Sequence, residues 1–296
     1  IKFCNGKCCL LQKKIAFCAI LIYNNAVEKR LLKNFICDGM RMDFVAMNDI
    51  KNDSFKKHCH DWYELLFFVD ANGEYVVEDM TYEVRGGDAV LIAPGRYHFL
   101  KNYRQKNYRR IVFSFDARFF GDSTFLSDTV KKTEFFEKDH YSDFSAVMSR
   151  FSEKCLSLPD AYMPQLVRSA LTWAFLNTVG VPPAPPSAYQ SDRISAKAVR
   201  YISENLSGIR NTDQIADALF VSRSALQHAF KKDMDIPLMQ YMRIKRLFLV
   251  RQLVSRGKSI AESALEAGYE DYTTFFRSFK SHFGYPPAEL KLSRKK

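Results

Sequence analysis

The chain has 296 residues with a formal net charge of +11, and 47% of its residues are hydrophobic. At ~100–200 residues per domain this length predicts about two domains, and the hydrophobic fraction excludes a largely disordered chain. No apolar run reaches the ~18 residues of a membrane-spanning helix, so we expect no membrane partner. The seven cysteines show no disulfide framework, which favours a cytoplasmic location.

Residues 1–40 form an N-terminal extension to which no pattern assigns a role. Cys4, Cys8 and Cys9 lie close together, but they lack the second pair of ligands that is typical of a zinc site. Incidental or buried cysteines are the favoured interpretation.

Residues 41–115 alternate between apolar and polar positions and are interrupted by Gly, Asp and Asn. The clearest alternating segments are residues 65–69, 75–77, 81–84 and 89–92. Short alternating segments with such interruptions predict strands of an all-β domain.

A polar, histidine-rich segment comes directly before the first of these strands. In a strand, every second side chain points to the same face. The side chains that would share one face are His58, His60, Trp62 and Glu64. A turn at Pro94 and Gly95 can bring His98 back towards them.

Segments 58–64 and 87–98 together resemble the two motifs of the cupin β-barrel, over about residues 41–115. In metal-binding cupins this pattern supplies the ligands, which here would be His58, His60, Glu64 and His98. Imidazole and carboxylate groups suit Fe, Mn, Ni or Zn. One departure is Ala93, which stands where the cupin motif has proline.

Residues 116–180 carry apolar side chains at helical spacing, and we expect helices there that mediate dimerisation. Residues 181–192 follow as a linker, with four prolines between positions 181 and 187. Residues 193–296 then hold 19 Lys and Arg against 10 Asp and Glu, whereas the first 192 residues hold 25 against 23. An excess of positive charge confined to one domain favours a polyanionic partner, most often nucleic acid.

Residues 193–296 contain an internal repeat. Ala216 matches Ala264, and Leu226 and Phe230 match Phe275 and Phe279. Each copy predicts a helix, a turn and a second helix, with Ser222 or Asp271 as the N-cap of that second helix. The side chains expected to face outward are Arg223, Ser224, Gln227, His228 and Lys231 in the first copy and Tyr272, Thr273, Phe276, Arg277 and Lys280 in the second.

Residues 238–254 between the two copies predict one helix of about 25 Å at 1.5 Å per residue. A spacer of that length can hold two recognition helices about one DNA turn apart, ~34 Å. An apolar inner face with a polar and basic outer face is what a helix in the major groove requires.

The residues from about 195 to 292 resemble the AraC/XylS family of bacterial transcriptional regulators. The most specific segments are 268–271 and 284–287, whose sequences are Gly-Tyr-Glu-Asp and Gly-Tyr-Pro-Pro. The departures from the family pattern are Phe220, Val250 and Ser263.

The resemblance implies two helix-turn-helix units in adjacent major grooves of double-stranded DNA with paired half-sites. It also implies a homodimer, an effector-sensing barrel, and contact with RNA polymerase if the protein is an activator. The side chains expected to face bases are Ser224, Gln227, His228, Tyr272, Thr273, Phe276 and Arg277, with Lys231 and Lys280 on phosphates.

In regulators of this family the barrel binds a small organic effector, and no metal or cofactor is expected. The effector-binding residues implied are His58, His60, Trp62, Glu64, Tyr82, Arg96 and His98. If the effector is a sugar, Trp62 and Tyr82 offer stacking surfaces.

The sequence thus predicts an α+β protein: a cupin-like antiparallel β-barrel with trailing helices, then an all-α domain of two helix-turn-helix units joined by a long helix. No nucleophile arrangement or phosphate loop is present in the sequence, so we expect no enzymatic activity. The alternative is a metal-binding cupin, either a metal sensor or an enzyme, fused to a DNA-binding domain.

Overall fold

A computed structural model describes residues 29–37, 39–50, 57–101, 105–120, 134–182 and 188–292. The chain divides into two compact units, Ile1–Tyr189 and Gln190–Lys296. Residues 1–28 of the expected N-terminal extension and residues 183–187 of the proline-rich linker lie outside the described part of the chain.

Antiparallel strands dominate the first unit. They are β1 (Lys29–Cys37), β2 (Met40–Ile50), β3 (Tyr63–Asp70), β4 (Asn72–Val77), β5 (Met80–Arg85), β6 (Ala89–Ile92), β7 (His98–Lys101), β8 (Gln105–Phe115), β9 (Phe135–Phe136) and β10 (Ala188–Gln190). Within the described residues they form a larger sheet in the order β1-β2-β8-β3-β6-β9 and a smaller sheet in the order β10-β5-β4-β7.

Strand β3 shows where the core of this unit lies. Leu65 and Phe67 point into a cluster formed with two helices, whereas Leu66 and Phe68 point into a cluster formed with β4 and β5 of the smaller sheet. Both faces of β3 are therefore buried, which accounts for its almost continuous apolar sequence.

The two helices that cover the larger sheet are α1 (Ser142–Ser157) and α2 (Met163–Leu176). Phe144, Phe151 and Phe175 are fully buried against the sheet. The other face of the pair stays exposed, including Trp173 and Leu176.

The second unit is helical. Its helices are α3 (Ile194–Asn205), α4 (Thr212–Ala218), α5 (Arg223–Met234), α6 (Leu238–Ser255), α7 (Ile260–Glu266), α8 (Tyr272–Phe283) and α9 (Glu289–Leu292). Helices α4 and α5 form one helix-turn-helix unit, α7 and α8 form the other, and α6 connects them. The predicted α+β class, with antiparallel sheets before a helical domain, is confirmed.

The sheet begins before the expected boundary at residue 41, because β1 pairs with β2. Strand β1 lies at the edge of the sheet and carries Lys29, Arg30 and Lys33. Charged side chains protect an edge strand from further pairing, and they also remove the alternation that would reveal it in a sequence.

Two short elements also depart from the expected organisation. Before Ser142, the described residues of 116–180 form a 3₁₀ turn (Ala117–Phe120) and β9 rather than an α-helix. Strand β10 lies inside the predicted linker. Strands of two or three residues are too short to leave a periodic signal.

Among the described residues, no helix combines the length and the apolar character that a membrane crossing requires.

Candidate nucleic-acid interface and sensor site

The first candidate recognition helix, α5, has a fixed start and a clear inner face. The Ser222 side chain accepts a hydrogen bond from the Ala225 N–H (3.1 Å), which satisfies one of the free donors at the helix start. Leu226, Phe230 and Met234 are buried. The predicted outward side chains Arg223, Ser224, Gln227, His228 and Lys231 are all exposed.

Helix α8 repeats this design. The Asp271 carboxylate accepts from the Thr273 and Thr274 N–H groups (3.1 and 2.7 Å). The Thr274 hydroxyl and these backbone donors lower the pKa of Asp271, so the cap stays ionised. Phe275, Phe279 and Phe283 are buried. The predicted outward side chains Tyr272, Thr273, Phe276, Arg277 and Lys280 are exposed.

The outward residues at the ends of α5 are engaged within the domain. Arg223 Nη1 lies 3.3 Å from Asp213 Oδ2 of α4, and Lys231 Nζ donates to the Asp235 carbonyl (2.9 Å). Both partners are at the surface, and exposed pairs of this kind contribute about 0–1 kcal/mol. Arg223 and Lys231 can therefore leave these partners and bind an external anion with little loss of stability.

In the first unit, four predicted residues come together in one polar cluster. One ligand atom from each of His58, His60, Glu64 and His98 lies within 4.8 Å of the others. His60 Nε2 is 3.2 Å from one Glu64 oxygen, and His98 Nε2 is 3.6 Å from the other. His60, Glu64 and His98 are buried.

The local backbone differs from the continuous strand that the sequence suggested. Strand β3 begins only at Tyr63, and His58 forms an isolated bridge with His98 of β7. The His58 N–H donates to the His98 carbonyl (3.3 Å), and the His98 N–H donates to the His58 carbonyl (3.0 Å). This bridge holds His58 beside β7.

The second nitrogen of two of the rings is held by the backbone. His60 Nδ1 lies 3.0 Å from the Trp62 carbonyl, and His98 Nδ1 lies 2.9 Å from the Arg96 carbonyl. A carbonyl only accepts, so each Nδ1 carries the hydrogen. Nε2 then faces the cluster, where it donates to Glu64 when the ring is protonated and offers a lone pair to a metal ion when the ring is neutral.

Burial and charge act against each other in the cluster. Burial raises the pKa of Glu64, but the charge and hydrogen bonds of His60 and His98 outweigh it and hold the pKa well below its usual value. Burial lowers the pKa of His98, and the Glu64 carboxylate opposes this less strongly. An ionised carboxylate and a neutral imidazole are the states that ligate a metal ion.

Two of the remaining predicted effector residues, Tyr82 and Arg96, form a second polar group. The Tyr82 hydroxyl donates to Glu134 (2.7 Å), and Arg96 Nη2 lies 3.3 Å from the same carboxylate oxygen. Burial raises the pKa of Glu134. Glu134 carries no sequence signal of such a role, because it lies beside the two-residue strand β9, where no periodic pattern marks it.

Trp62 joins the first cluster rather than the second. Its ring stacks on His60 at a centroid distance of 4.6 Å and an interplanar angle of 7°. Trp62 and Tyr82 are both buried within the protein. The structure thus divides the predicted effector residues into a histidine cluster and a Tyr82–Arg96–Glu134 group, which Arg96 connects through its carbonyl bond to His98.

Known proteins resemble both units. The family model of an AraC-like ligand binding domain matches residues 45–158, and that of a helix-turn-helix domain matches residues 215–293. The Msm operon regulatory protein of Streptococcus mutans is 22% identical over 80% of this chain and 87% of that protein. The F1 operon positive regulatory protein of Yersinia pestis is 32% identical over 32% of each chain.

Among solved structures, ToxT of Vibrio cholerae covers 88% of this chain and 100% of its own at 12% identity. Its TM-score of 0.36 is too low to bear on the fold. The two family matches fall one on each compact unit, so each candidate site lies in the unit whose match concerns it.

Proposed function

This chain belongs to the AraC-type transcriptional regulators, and from that premise we propose that each chain contacts two DNA half-sites, one through α5 and one through α8, in response to a ligand in its N-terminal domain. One observation carries the proposal. Each of the two helices starts at a side-chain cap, buries one apolar face and exposes the predicted polar and basic residues on the other.

The exposed side chains suit base recognition. Gln227 can pair with adenine and Arg277 with guanine, while Phe276 can contact a thymine methyl group. Ser224, His228, Tyr272 and Thr273 complete the proposed base-facing set. Arg223, Lys231 and Lys280 are assigned to phosphates, which hold the protein in register without conveying sequence.

Substitutions in α8 separate these two roles. On a site selected by the wild-type protein from random duplex DNA, Arg277→Ala should lose discrimination at one base pair, worth about 1–3 kcal/mol. Lys280→Ala, the matched control three residues later, should weaken binding to all sequences alike and reduce the salt slope by about one. If Arg277→Ala weakened all sequences equally, Arg277 would be a phosphate contact.

The ligand of the N-terminal domain is proposed to be a small organic effector that contacts His58, His60, Trp62, Glu64, Tyr82, Arg96 and His98. Such a ligand shifts DNA binding only if it favours one arrangement of the protein over another. A sugar receives limited support, because one face of Trp62 is covered by His60 and the Tyr82 hydroxyl is already bonded to Glu134.

The histidine cluster supports a second candidate, in which the sensed ligand is a transition metal ion. His58, His60, Glu64 and His98 would hold it, and they supply the imidazole and carboxylate ligands that Fe, Mn, Ni and Zn accept. The backbone bonds of His60 and His98 fit this role, because ligating histidines normally donate their other ring N–H to a carbonyl. Ligation would supply a cross-link between residues 58–64 and β7.

Metal content decides between the two ligands. After incubation with Mn, Fe, Ni or Zn and desalting, the metal candidate predicts about one ion per chain in wild type and a loss in His98→Ala. Glu134→Gln, a change at a partly buried carboxylate outside the cluster, should retain the ion. No bound metal in wild type, together with a higher melting temperature in the presence of a sugar or another metabolite, would support the organic effector instead.

The proposal includes a homodimer formed by α1 and α2. A groove of about 730 Å³ lies between these helices, with Phe151, Leu166 and Trp173 among its lining residues. Both signs of charge, Arg150 and Glu153, line the same groove. A surface that carries both signs can pair with its own copy across a two-fold axis.

In the proposed function the protein has no enzymatic activity and acts in the cytoplasm, where its DNA target lies. If it is an activator, RNA polymerase is its further partner. Pairing two DNA-binding domains on two sites raises the effective concentration of the second for its site.

A further inference from the structure

Beside the helix α6, the segments that flank the two helix-turn-helix units contact each other at a junction that we call the clasp. It comprises Arg246 of α6, the loop 206–210 after α3, and the turn 268–270 before α8. The loop leads into α4 of the first helix-turn-helix unit, and the turn lies between α7 and α8 of the second. The clasp is therefore a second connection between units that α6 already joins.

Arg246 is the centre of the clasp. Its Nη2 donates to the carbonyls of Leu206 (3.3 Å) and Ile209. Leu206 is the C-cap of α3, where helix carbonyls lack a partner within the helix. The two N–H groups of Nη2 can serve both carbonyls at once, and the planar guanidinium holds them in a fixed direction.

Gly268 brings the second unit against the first. A Cβ atom at this position would lie 2.9 Å from the Ser207 carbonyl oxygen and 3.2 Å from Arg246 Nε. The residue also has φ +88°, which side-chain-bearing residues rarely adopt. Glycine thus permits the turn of one unit to touch the loop of the other.

Two more contacts flank this centre. Arg210 of the loop lies 3.4 Å from Glu270 of the turn, and the Tyr269 hydroxyl donates to the Arg243 carbonyl of α6 (3.4 Å). Tyr269 is buried in the hydrophobic cluster that α6 forms with α7 and α8. The clasp therefore ties the turn to α6 as well as to the loop.

If α6 alone joined the two helix-turn-helix units, they could rotate relative to each other about their contacts with that helix. A second contact away from the axis of α6 prevents this rotation. From the clasp we infer that Arg246 is a positioning residue, which fixes α5 relative to α8 and so sets the half-site spacing that the protein accepts. This inference rests on the proposed function, since it requires both helices to contact DNA.

The test uses the full-length protein and a two-part site that wild type selects from random duplex DNA. Affinity is measured for that site, for versions with one or two base pairs inserted or deleted between its halves, and for each half alone. The variants are Arg246→Met and Arg246→Lys. Arg256→Met is the matched control, because it removes the same charge from the exposed far end of α6.

We expect wild type and Arg256→Met to lose about 10-fold or more in affinity when the spacing changes, because the second helix no longer meets its half-site. Arg246→Met should lose less than about 3-fold across the same series, while its affinity for single halves stays within about 2-fold of wild type. Arg246→Lys keeps the charge and one hydrogen bond, and should fall between them.

An unchanged spacing penalty in Arg246→Met would overturn the inference and leave the proposed function intact. Equal loss on single halves and full sites would overturn it too, because Arg246 would then only support folding. If Arg246→Met did not fold, Arg246→Lys would take its place. The inference would then be overturned if Arg246→Lys lost as much affinity as wild type when the spacing changes. If wild type selected only one half-site, the proposed two-helix function would itself fail.

Discussion

Phe220 holds a left-handed backbone conformation (φ +54°) in the turn between α4 and α5, and its side chain is 95% exposed. A residue with a Cβ pays about 1–2 kcal/mol for this conformation, and an exposed ring recovers none of it by packing. In the second helix-turn-helix unit the equivalent residue is Gly268, which adopts the same region without strain.

Phe220→Gly should therefore stabilise the protein by up to about 1 kcal/mol, since relief of strain exceeds the added chain entropy of glycine. Urea unfolding of the second compact unit, Gln190–Lys296, followed by circular dichroism, measures the change in the free energy of unfolding. Phe220→Ala is the control, because it keeps the Cβ and hence the strain. If the glycine variant unfolded no later than the alanine variant, the conformation at residue 220 would not be strained.

At the scale of single residues, the sequence predicted that His58, His60 and Glu64 share one face of a continuous strand. The structure brings these side chains together with His98, but the strand begins only at Tyr63, so the strand period does not account for the positions of His58 and His60. Glu134 could not be found in this way. Its place beside Tyr82 and Arg96 depends on how β9 pairs with β6, which no local pattern encodes.

At the scale of elements, the sequence predicted long helices and central strands better than edges. Helices α5 and α8 carry strong caps and apolar faces, and both are present with the expected inner and outer sides. Strand β1 was missed, because its lysines and arginine hide the apolar positions that pack on the sheet.

The helix pair α1 and α2 is the element whose exposed face bears on assembly. Trp173 is 59% exposed at its groove, and a charge there should not be tolerated in a buried interface. We expect wild type to sediment as a dimer and Trp173→Glu as a monomer with unchanged helix content. Leu265→Glu, an equally drastic change on α7 of the other unit, should remain dimeric. A dimeric Trp173→Glu would place the interface elsewhere.

At the scale of the whole molecule, the account joins a sensing unit to a unit with two recognition helices. Charge supports this division, since nearly all of the net charge of +11 belongs to residues 193–296. A basic surface that meets phosphates releases counterions, so its binding weakens steeply with salt. The sequence predicted the separate roles of the two units because composition and repeats reveal them. The identity of the ligand depends on a pocket that only the folded chain assembles.

Selection by the full-length protein from random duplex DNA tests whether α5 and α8 bind DNA together. The proposed function predicts pairs of selected blocks, one pair for each chain of the homodimer, whose centres lie about one helical turn apart within a pair, ~10–11 base pairs. It also predicts an affinity that falls by orders of magnitude between ~50 and ~200 mM salt. A single conserved block, or an affinity that hardly changes with salt, would contradict it.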